Sequence, residues 1–128
     1  MKPNELMIGD WVVYDGDVEY INPIRIEGID TTGLCITSDR DDVGFDGVQP
    51  IPITVEILEK IGFWCEHNIG YVMEEGEYEI IYDLLDHNLR ILENRKQILN
   101  LEYWIEMCVH ELQHAFRLCN IDKEIEIC

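Results

Sequence analysis

Basic residues are scarce in this sequence. Its 128 residues include 27 aspartates and glutamates but only 9 lysines and arginines, so the formal net charge is −18. Binding to a phosphate backbone depends on clustered lysine and arginine, and an anionic membrane surface repels a chain of this charge. We therefore expect neither direct nucleic-acid binding nor membrane association. The charge does not exclude binding to a protein partner. One such partner is a basic protein, which this chain would bind as a mimic of nucleic-acid charge.

The sequence also lacks the marks of an exported or membrane-spanning chain. No apolar run approaches the 18 or so residues that suggest a transmembrane helix. Residues 1–10 do not combine a basic stretch with an apolar one, so we expect no signal peptide. The five cysteines, at positions 35, 65, 108, 119 and 128, make an odd number without a Cys-x-x-Cys pair. These absences predict free thiols in a cytoplasmic protein.

Length and hydrophobic content predict one folded domain. Hydrophobic residues make up 47% of the chain, which is typical of a globular protein and not of a disordered one. A chain of this length buries about two-thirds of its unfolded surface, enough for a core without disulfides. We predict a single domain over residues 1–128, with a barrel-like β subregion at 1–49 and a second subregion at 50–128.

The first subregion has the pattern of short strands joined by polar turns. Strands are predicted at 10–14, 20–29 and 34–37. Several short strands within about 50 residues favour an SH3-like β-barrel. The acidic stretch 39–47 begins like a calcium-binding EF-hand loop, but Val43 and Pro50 occupy positions that calcium requires as oxygen ligands. We therefore expect a solvated loop there.

The second subregion begins with a short helix that has clear end signals. Pro50 and Pro52 keep their predecessors extended, Thr54 is placed to cap the helix, and Gly62 is placed to end it. Strands are then predicted at 63–67, 71–74, 77–82, 89–93 and 98–101, with a tight hairpin loop at Glu75-Gly76. The predicted fold class is therefore α+β, in which an antiparallel β meander is packed by a C-terminal helix.

The C-terminal helix is predicted over 104–119, the most amphipathic stretch of the chain. At about 100° per residue its apolar stripe is wide enough to face a core. The stripe contains Ile105, Cys108, Val109, Leu112, Ala115, Phe116 and Cys119. The opposite side contains His110, Gln113, His114 and Arg117. We expect this polar side, with both of its histidines, to be solvated.

The same helix contains a literal match to the His-Glu-x-x-His pattern of zinc peptidases, at residues 110–114. The two histidines are one turn apart, so that both rings can bind one zinc ion, and the glutamate can activate a bound water. The alternative hypothesis is therefore a zinc-dependent hydrolase. In it His110 and His114 are zinc ligands and Glu111 is the general base.

A third zinc ligand has no clear source in the sequence. The metzincin extension requires glycine and histidine where this chain has Arg117 and Asn120. His67 and His87 lie upstream at spacings that do not point to a zinc site, and Cys65-x-His67 is too sparse for one. We therefore expect no metal or other cofactor and no catalytic residue. The main hypothesis is a non-enzymatic interaction module with a protein partner.

Three segments, in this order along the chain, carry a resemblance to a known family. They are Asn4-Glu5-Leu6-Met7-Ile8-Gly9-Asp10-Trp11-Val12, Pro50-Ile51-Pro52-Ile53-Thr54 with Leu58 and Gly62-Phe63, and Val109-His110-Glu111-Leu112-Gln113-His114. The chain resembles a family of small bacterial and phage-borne proteins of unknown function. Its members typically open with Glu-Leu-Arg-Ile-Gly-Asn, start a helix with Pro-Ile-Pro-Leu-Thr-Glu, and close on Val-His-Gln-Leu-Gln-Asn.

The resemblance implies a cytoplasmic protein of bacterial or phage origin and no particular activity. The family pattern has glutamine in place of Glu111 and asparagine in place of His114. It therefore keeps His110 but not the other two residues of the zinc-peptidase match. On this basis we expect the exchange of His110 to glutamine and His114 to asparagine to leave stability nearly unchanged.

Overall fold

The computed structural model shows an α+β protein with two antiparallel sheets and two helices. It describes residues 6–17, 19–20, 22–29, 34–37, 42–44, 47–102 and 107–127. The chain divides into two compact units. The first comprises Met1–Pro52 and Cys108–Gln113, and the second comprises Ile53–Met107 and His114–Ile127. The first break lies close to the predicted boundary at residue 49, but the segment at 108–113 returns to the first unit. The single-domain prediction itself stays a prediction.

The first unit contains one sheet of five short strands. They are β1 (Trp11–Tyr14), β2 (Ile24–Ile29), β3 (Leu34–Thr37), β4 (Asp42–Gly44) and β5 (Val48–Pro50). The strand order is β4-β3-β2-β1-β5, and every pairing is antiparallel. No pairing closes this sheet into a barrel within the residues that the structure describes. The predicted strands at 10–14, 20–29 and 34–37 are confirmed as elements, with a later start for β2.

Strand β4 corrects one prediction, because the acidic stretch 39–47 is not only a loop. Residues Asp42–Gly44 pair with Leu34–Ile36 of β3. Single-sequence patterns miss a three-residue strand in such an acidic context, because only Val43 among its residues favours a strand. The remaining residues of the predicted loop up to Asp46 lie outside the described part of the chain.

Alternate residues of the strands form the core of the first unit. The buried apolar cluster consists of Leu6, Val12, Ile24, Ile26 and Val48, with Tyr14 packed against it. The hydroxyl groups of Tyr14 and Thr37 are 2.8 Å apart and share a hydrogen bond. The buried hydroxyl of Thr37 is thereby satisfied, as burial of a polar group requires.

Helix α1 (Val55–Ile61) confirms the predicted start and stop signals in the second unit. The Thr54 side chain accepts a hydrogen bond from the amide of Ile57, which satisfies one of the free donors in the first turn. Gly62 follows the helix with φ 122°, and its amide donates to the carbonyl of Leu58. That positive φ is a conformation that glycine adopts without a steric cost.

The second unit contains an antiparallel meander that confirms the predicted one. Its strands are β6 (Trp64–Glu66), β7 (Gly70–Glu75), β8 (Tyr78–Asp83), β9 (Asn88–Glu93) and β10 (Lys96–Glu102). The order β10-β9-β8-β7-β6 follows the sequence, as tight turns between successive strands dictate. The hairpin loop between β7 and β8 consists of Gly76 and Glu77, one residue later than predicted, since Glu75 pairs with Tyr78.

Helix α2 (Val109–Leu118) begins later than its amphipathic pattern predicts. The backbone of residues 107–109 bonds that of residues 51–53 where the helix begins. The amide of Ile53 donates to the carbonyl of Met107, and the amide of Val109 donates to the carbonyl of Ile51. Cys108 forms an isolated antiparallel bridge with Pro52. These backbone bonds hold the residues before Val109 out of the helix. The earlier predicted residues 104–106 lie outside the described part.

The chain ends in an irregular segment that still follows an alternating pattern of burial. Ile121, Ile125 and Ile127 are buried, and the acidic residues between them are exposed. No helix in the described part of the chain is long and apolar enough to cross a membrane.

A leucine pair on α2 tests whether the apolar stripe is a structural core element. Leu112 is fully buried, and Leu118 is 73% exposed. Leu112→Ala is expected to lower the free energy of unfolding by about 2–5 kcal/mol, because truncation of a buried leucine leaves a cavity. The matched control Leu118→Ala is expected to change it by less than about 0.5 kcal/mol. Urea unfolding of both variants measures these changes in the free energy of unfolding. Equal losses in the two variants would contradict the burial of the stripe.

Candidate functional site

Helix α2 places the zinc-peptidase match in a different environment from the predicted one. His110 is only 7% exposed and Gln113 only 6%, so the side of the helix that carries them is not solvated. His114 is half-buried, and only Arg117 of the predicted polar side is exposed. The amphipathic pattern predicted the buried stripe of Val109, Leu112, Ala115 and Phe116. The pattern was wrong for the opposite side. Polar side chains there are buried because they bond partners that are distant in sequence, and a helical pattern does not show such partners.

Glu111 makes a contact that stabilises the helix start. Its carboxylate Oε1 accepts a hydrogen bond of 2.9 Å from the amide of Cys108. Cys108 is the residue before the helix, so this is the glutamate half of a capping box, in which a side chain three residues on satisfies the cap amide. A carboxylate in the first turn also interacts favourably with the positive end of the helix dipole. The predicted general base therefore has a structural role in this geometry.

Gln113 binds the backbone of the loop before β1 with both ends of its amide. Its Nε2 donates to the carbonyl of Gly9 over 2.8 Å, and its Oε1 accepts from the amide of Trp11 over 2.9 Å. All three residues belong to the first unit. The same loop is closed by Asp10, whose carboxylate accepts from the amide of Met7. One buried side chain thus satisfies two backbone groups that are about a hundred residues away.

The structure does not assemble a set of metal ligands around the two histidines. In the described part of the chain there is no group of three or more histidine, cysteine, aspartate or glutamate side chains that could hold a metal ion. His67 lies in the turn between β6 and β7, and His87 in the turn between β8 and β9. The zinc hypothesis for His110 and His114 stays a prediction, which needs a third ligand from elsewhere.

The thiol of Cys119 is not activated as a nucleophile. Burial raises the pKa of this thiol, and the nearby carboxylate of Glu93 raises it further. The reactive form of cysteine is the thiolate, which a raised pKa disfavours. The raised pKa therefore disfavours a reactive thiolate at Cys119.

One side of the second sheet carries a half-exposed tryptophan beside acidic residues. We call it the Trp64 face. In an antiparallel ladder directly opposed residues point to the same side of the sheet. The pairs Trp64–Val72, Val72–Ile81 and Ile81–Arg90 therefore form one row across four strands. Trp64, at the end of this row, is 41% exposed, and its indole Nε1 donates to Glu66 over 2.8 Å, whereas Val72 and Ile81 in the middle of the row are buried.

Acidic residues lie on both sides of that row. Along a strand, residues two apart share a face and are separated by about 7 Å. Glu66 and Asp83 flank the row on one side, and Glu74 and Glu79 flank it on the other. Glu74 and Glu79 are directly opposed across β7 and β8. Neither makes an ion pair with another of the described residues, although opposed like charges in a sheet are destabilising.

Sequence patterns alone did not single out this face. Alternation after the buried Phe63 does place Trp64 on the other side of its strand, but an exposed tryptophan at a strand end carries no motif. The pairing of Glu74 with Glu79 depends on the hairpin register. A loop at Glu75-Gly76 would oppose Glu74 to Glu77 instead, whereas the observed loop moves the pairing by two residues.

Comparisons with protein-family models, with curated proteins and with solved structures found no significant match to this chain. The resemblance to the small bacterial and phage-borne family therefore stays a prediction. Any functional proposal rests on the geometry of the residues themselves.

Two uncharged variants at position 111 test the capping contact. Glu111→Gln keeps an oxygen that can accept from the Cys108 amide, and Glu111→Ala removes it. We expect the alanine variant to be less stable than the glutamine variant by about 1 kcal/mol, the net contribution of one hydrogen bond. The same two substitutions at Glu59, an exposed residue of α1, control for charge and helix propensity.

A zinc titration of the wild type and of the His110→Gln/His114→Asn variant tests the hydrolase alternative. Zinc at a hundred times its dissociation constant stabilises a native site by about 2.7 kcal/mol. We expect thermal unfolding of the wild type to be the same with zinc and with chelator. A shift of that size, lost in the His110→Gln/His114→Asn variant, would instead support a zinc hydrolase with Glu111 as its base. The burial of His110 means that this double variant is no longer expected to be neutral for stability.

Proposed function

We propose that this protein is a non-enzymatic interaction module that binds a basic segment of another protein on the Trp64 face. The observation that carries the proposal is the opposed pair Glu74–Glu79 on the same face as a half-exposed tryptophan. Each feature alone is ordinary on a protein surface. Together they supply the apolar anchor and the negative charge that a lysine- or arginine-rich segment requires.

Trp64 supplies the anchor of the proposed interface. Tryptophan is enriched among the residues that dominate binding energy at interfaces. Its indole face also attracts a lysine or arginine side chain through cation–π interaction. The bond from its Nε1 to Glu66 and its neighbour Val72 restrict the ring, so less conformational entropy is lost when a partner binds.

The Glu74–Glu79 pair gives the free protein an unfavourable repulsion that a bound cation would remove. Two opposed carboxylates repel each other, and this repulsion costs stability in the free state. A cationic side chain placed between them replaces repulsion by two attractions. The pair is thus expected to reduce stability while it increases affinity, which is a common compromise at functional sites.

The charge of the whole chain acts in the same direction. With a formal net charge of −18, the protein attracts a basic partner over distances longer than any contact. Salt screens this attraction within about 10 Å at 0.1 M. Binding is therefore expected to be fast at low ionic strength and to weaken as salt is added.

Two finer proposals accompany this function. The first-unit sheet, in which β5 returns to pair with β1, is proposed to be an SH3-like barrel; its strand order β4-β3-β2-β1-β5 supports this. The cytoplasm of a bacterium or its phage is proposed as the compartment in which the protein acts. Free Cys65, Cys108 and Cys119 support that compartment, since thiols are kept reduced there.

Glu79→Gln separates the proposed function from a purely structural role. The substitution removes the repulsion with Glu74, so the free energy of unfolding is expected to rise by about 0.2–1 kcal/mol. It also removes one attraction to a basic partner, so affinity for an octalysine peptide is expected to fall about threefold at low salt. Trp64→Ala is expected to weaken the same binding about tenfold. Fluorescence anisotropy and urea unfolding measure the two effects.

Glu59→Gln is the matched control, because it removes one exposed charge from α1 at a distance in sequence from the Trp64 face. It is expected to leave stability and affinity close to those of the wild type. Lysine-acetylated octalysine controls for peptide charge and should not bind. If Glu59→Gln and Glu79→Gln lowered the affinity for octalysine equally, binding would depend on net charge alone. That result would contradict a defined binding surface.

A further inference from the structure

A groove borders the Trp64 face at the end of the second sheet. It has a volume of about 450 Å³ and lies between the turn that joins β6 to β7 and the turn that joins β8 to β9. Its apolar walls include Ile69, which is 47% exposed, and Leu85, which is 90% exposed. These two exposed aliphatic side chains make one wall of the groove apolar.

Two carboxylates face each other across this groove. Glu66 lies on β6 and Asp83 on β8, with Gly70 of β7 between them. A Cβ built on Gly70 would lie only 2.7 Å from the carbonyl oxygen of Tyr82, so the strands approach here too closely for a side chain. The row therefore carries no side chain between Glu66 and Asp83. Since neighbouring strands are about 4.8 Å apart, the two acidic residues start about 10 Å from each other.

Neutral donors fix one oxygen of each carboxylate. Glu66 Oε1 accepts from the Trp64 indole, and Asp83 Oδ1 accepts from the amides of Leu85 and Asp86. The second oxygen of each group has no hydrogen-bond donor among the described residues. No lysine or arginine is found among the described residues that line the groove. The groove thus joins exposed apolar walls to two acidic side chains.

We propose that this groove binds one arginine side chain of the basic partner segment. The aliphatic stem of the arginine packs on Ile69 and Leu85, and its guanidinium lies over Gly70 between Glu66 and Asp83. A guanidinium has donors on opposite edges of a plane, so it can bond two separated carboxylates at once, whereas the ammonium of lysine is a compact point charge. The proposal rests on the proposed function, since the same partner segment occupies the Trp64 face.

Two peptides test this specificity: octalysine, and the same peptide with one central lysine replaced by arginine. The wild type is expected to bind the arginine peptide about tenfold more tightly, because a guanidinium can donate charge-assisted hydrogen bonds to both carboxylates at once. The Glu66→Gln/Asp83→Asn variant is expected to reduce this ratio to about one while it still binds octalysine. Both amides keep an oxygen that can accept the existing bonds from Trp64, Leu85 and Asp86, so the fold is preserved.

The matched control is Glu56→Gln/Glu59→Gln on α1, which removes the same charge and is expected to keep the arginine preference. Equal binding of both peptides by the wild type, with loss of both on Trp64→Ala, would overturn the arginine site and leave the proposed function standing. An arginine preference that survives in Glu66→Gln/Asp83→Asn would also overturn the site. Failure of the wild type to bind either peptide would overturn the proposed function and, with it, the arginine site.

Discussion

One buried amide determines much of the geometry of the first unit. Gln113 donates to the carbonyl of Gly9 and accepts from the amide of Trp11, so that both ends of its side chain are used in one place. The loop that it holds leads into β1, which pairs with both β2 and β5. Loss of the side chain would remove this acceptor from the Trp11 amide and this donor from the Gly9 carbonyl, to which Arg25 Nε also donates over 3.4 Å. Removal of a hydrogen-bond partner from a buried backbone group is costly.

The same arrangement gives structural roles to residues of the zinc-peptidase match. Glu111 bonds the amide before the helix, Gln113 bonds the loop before β1, and His110 is buried beside them. A helix start that is buried on two sides needs polar side chains with specific partners. Histidine, glutamate and glutamine are also the residues of catalytic motifs. A short pattern therefore cannot distinguish the two uses without the positions of the partners.

Sequence patterns predicted those elements whose ends are set by neighbouring residues. The cap at Thr54 and the stop at Gly62 depend on residues within one turn of α1, and the structure confirms both. The start of α2 depends on pairing between residues 107–109 and 51–53, which are too far apart in the sequence for any local pattern to contain both. The Trp64 face was missed for a related reason, because its acidic pair is defined by a hairpin register that differs by two residues from the predicted one.

The central claim is that the polar residues of the helix start hold the fold. Hydrogen exchange at the amide of Trp11 tests it most directly, because that buried amide donates to the Gln113 side chain over 2.9 Å. The account predicts slow exchange of this amide in the wild type and much faster exchange in Gln113→Ala. The amide of Ile26, whose acceptor is the carbonyl of Asp10, serves as a reference in the same spectra. A Trp11 amide that exchanges at the rate of an exposed group in the wild type would contradict the account, and so would one that Gln113→Ala leaves unchanged.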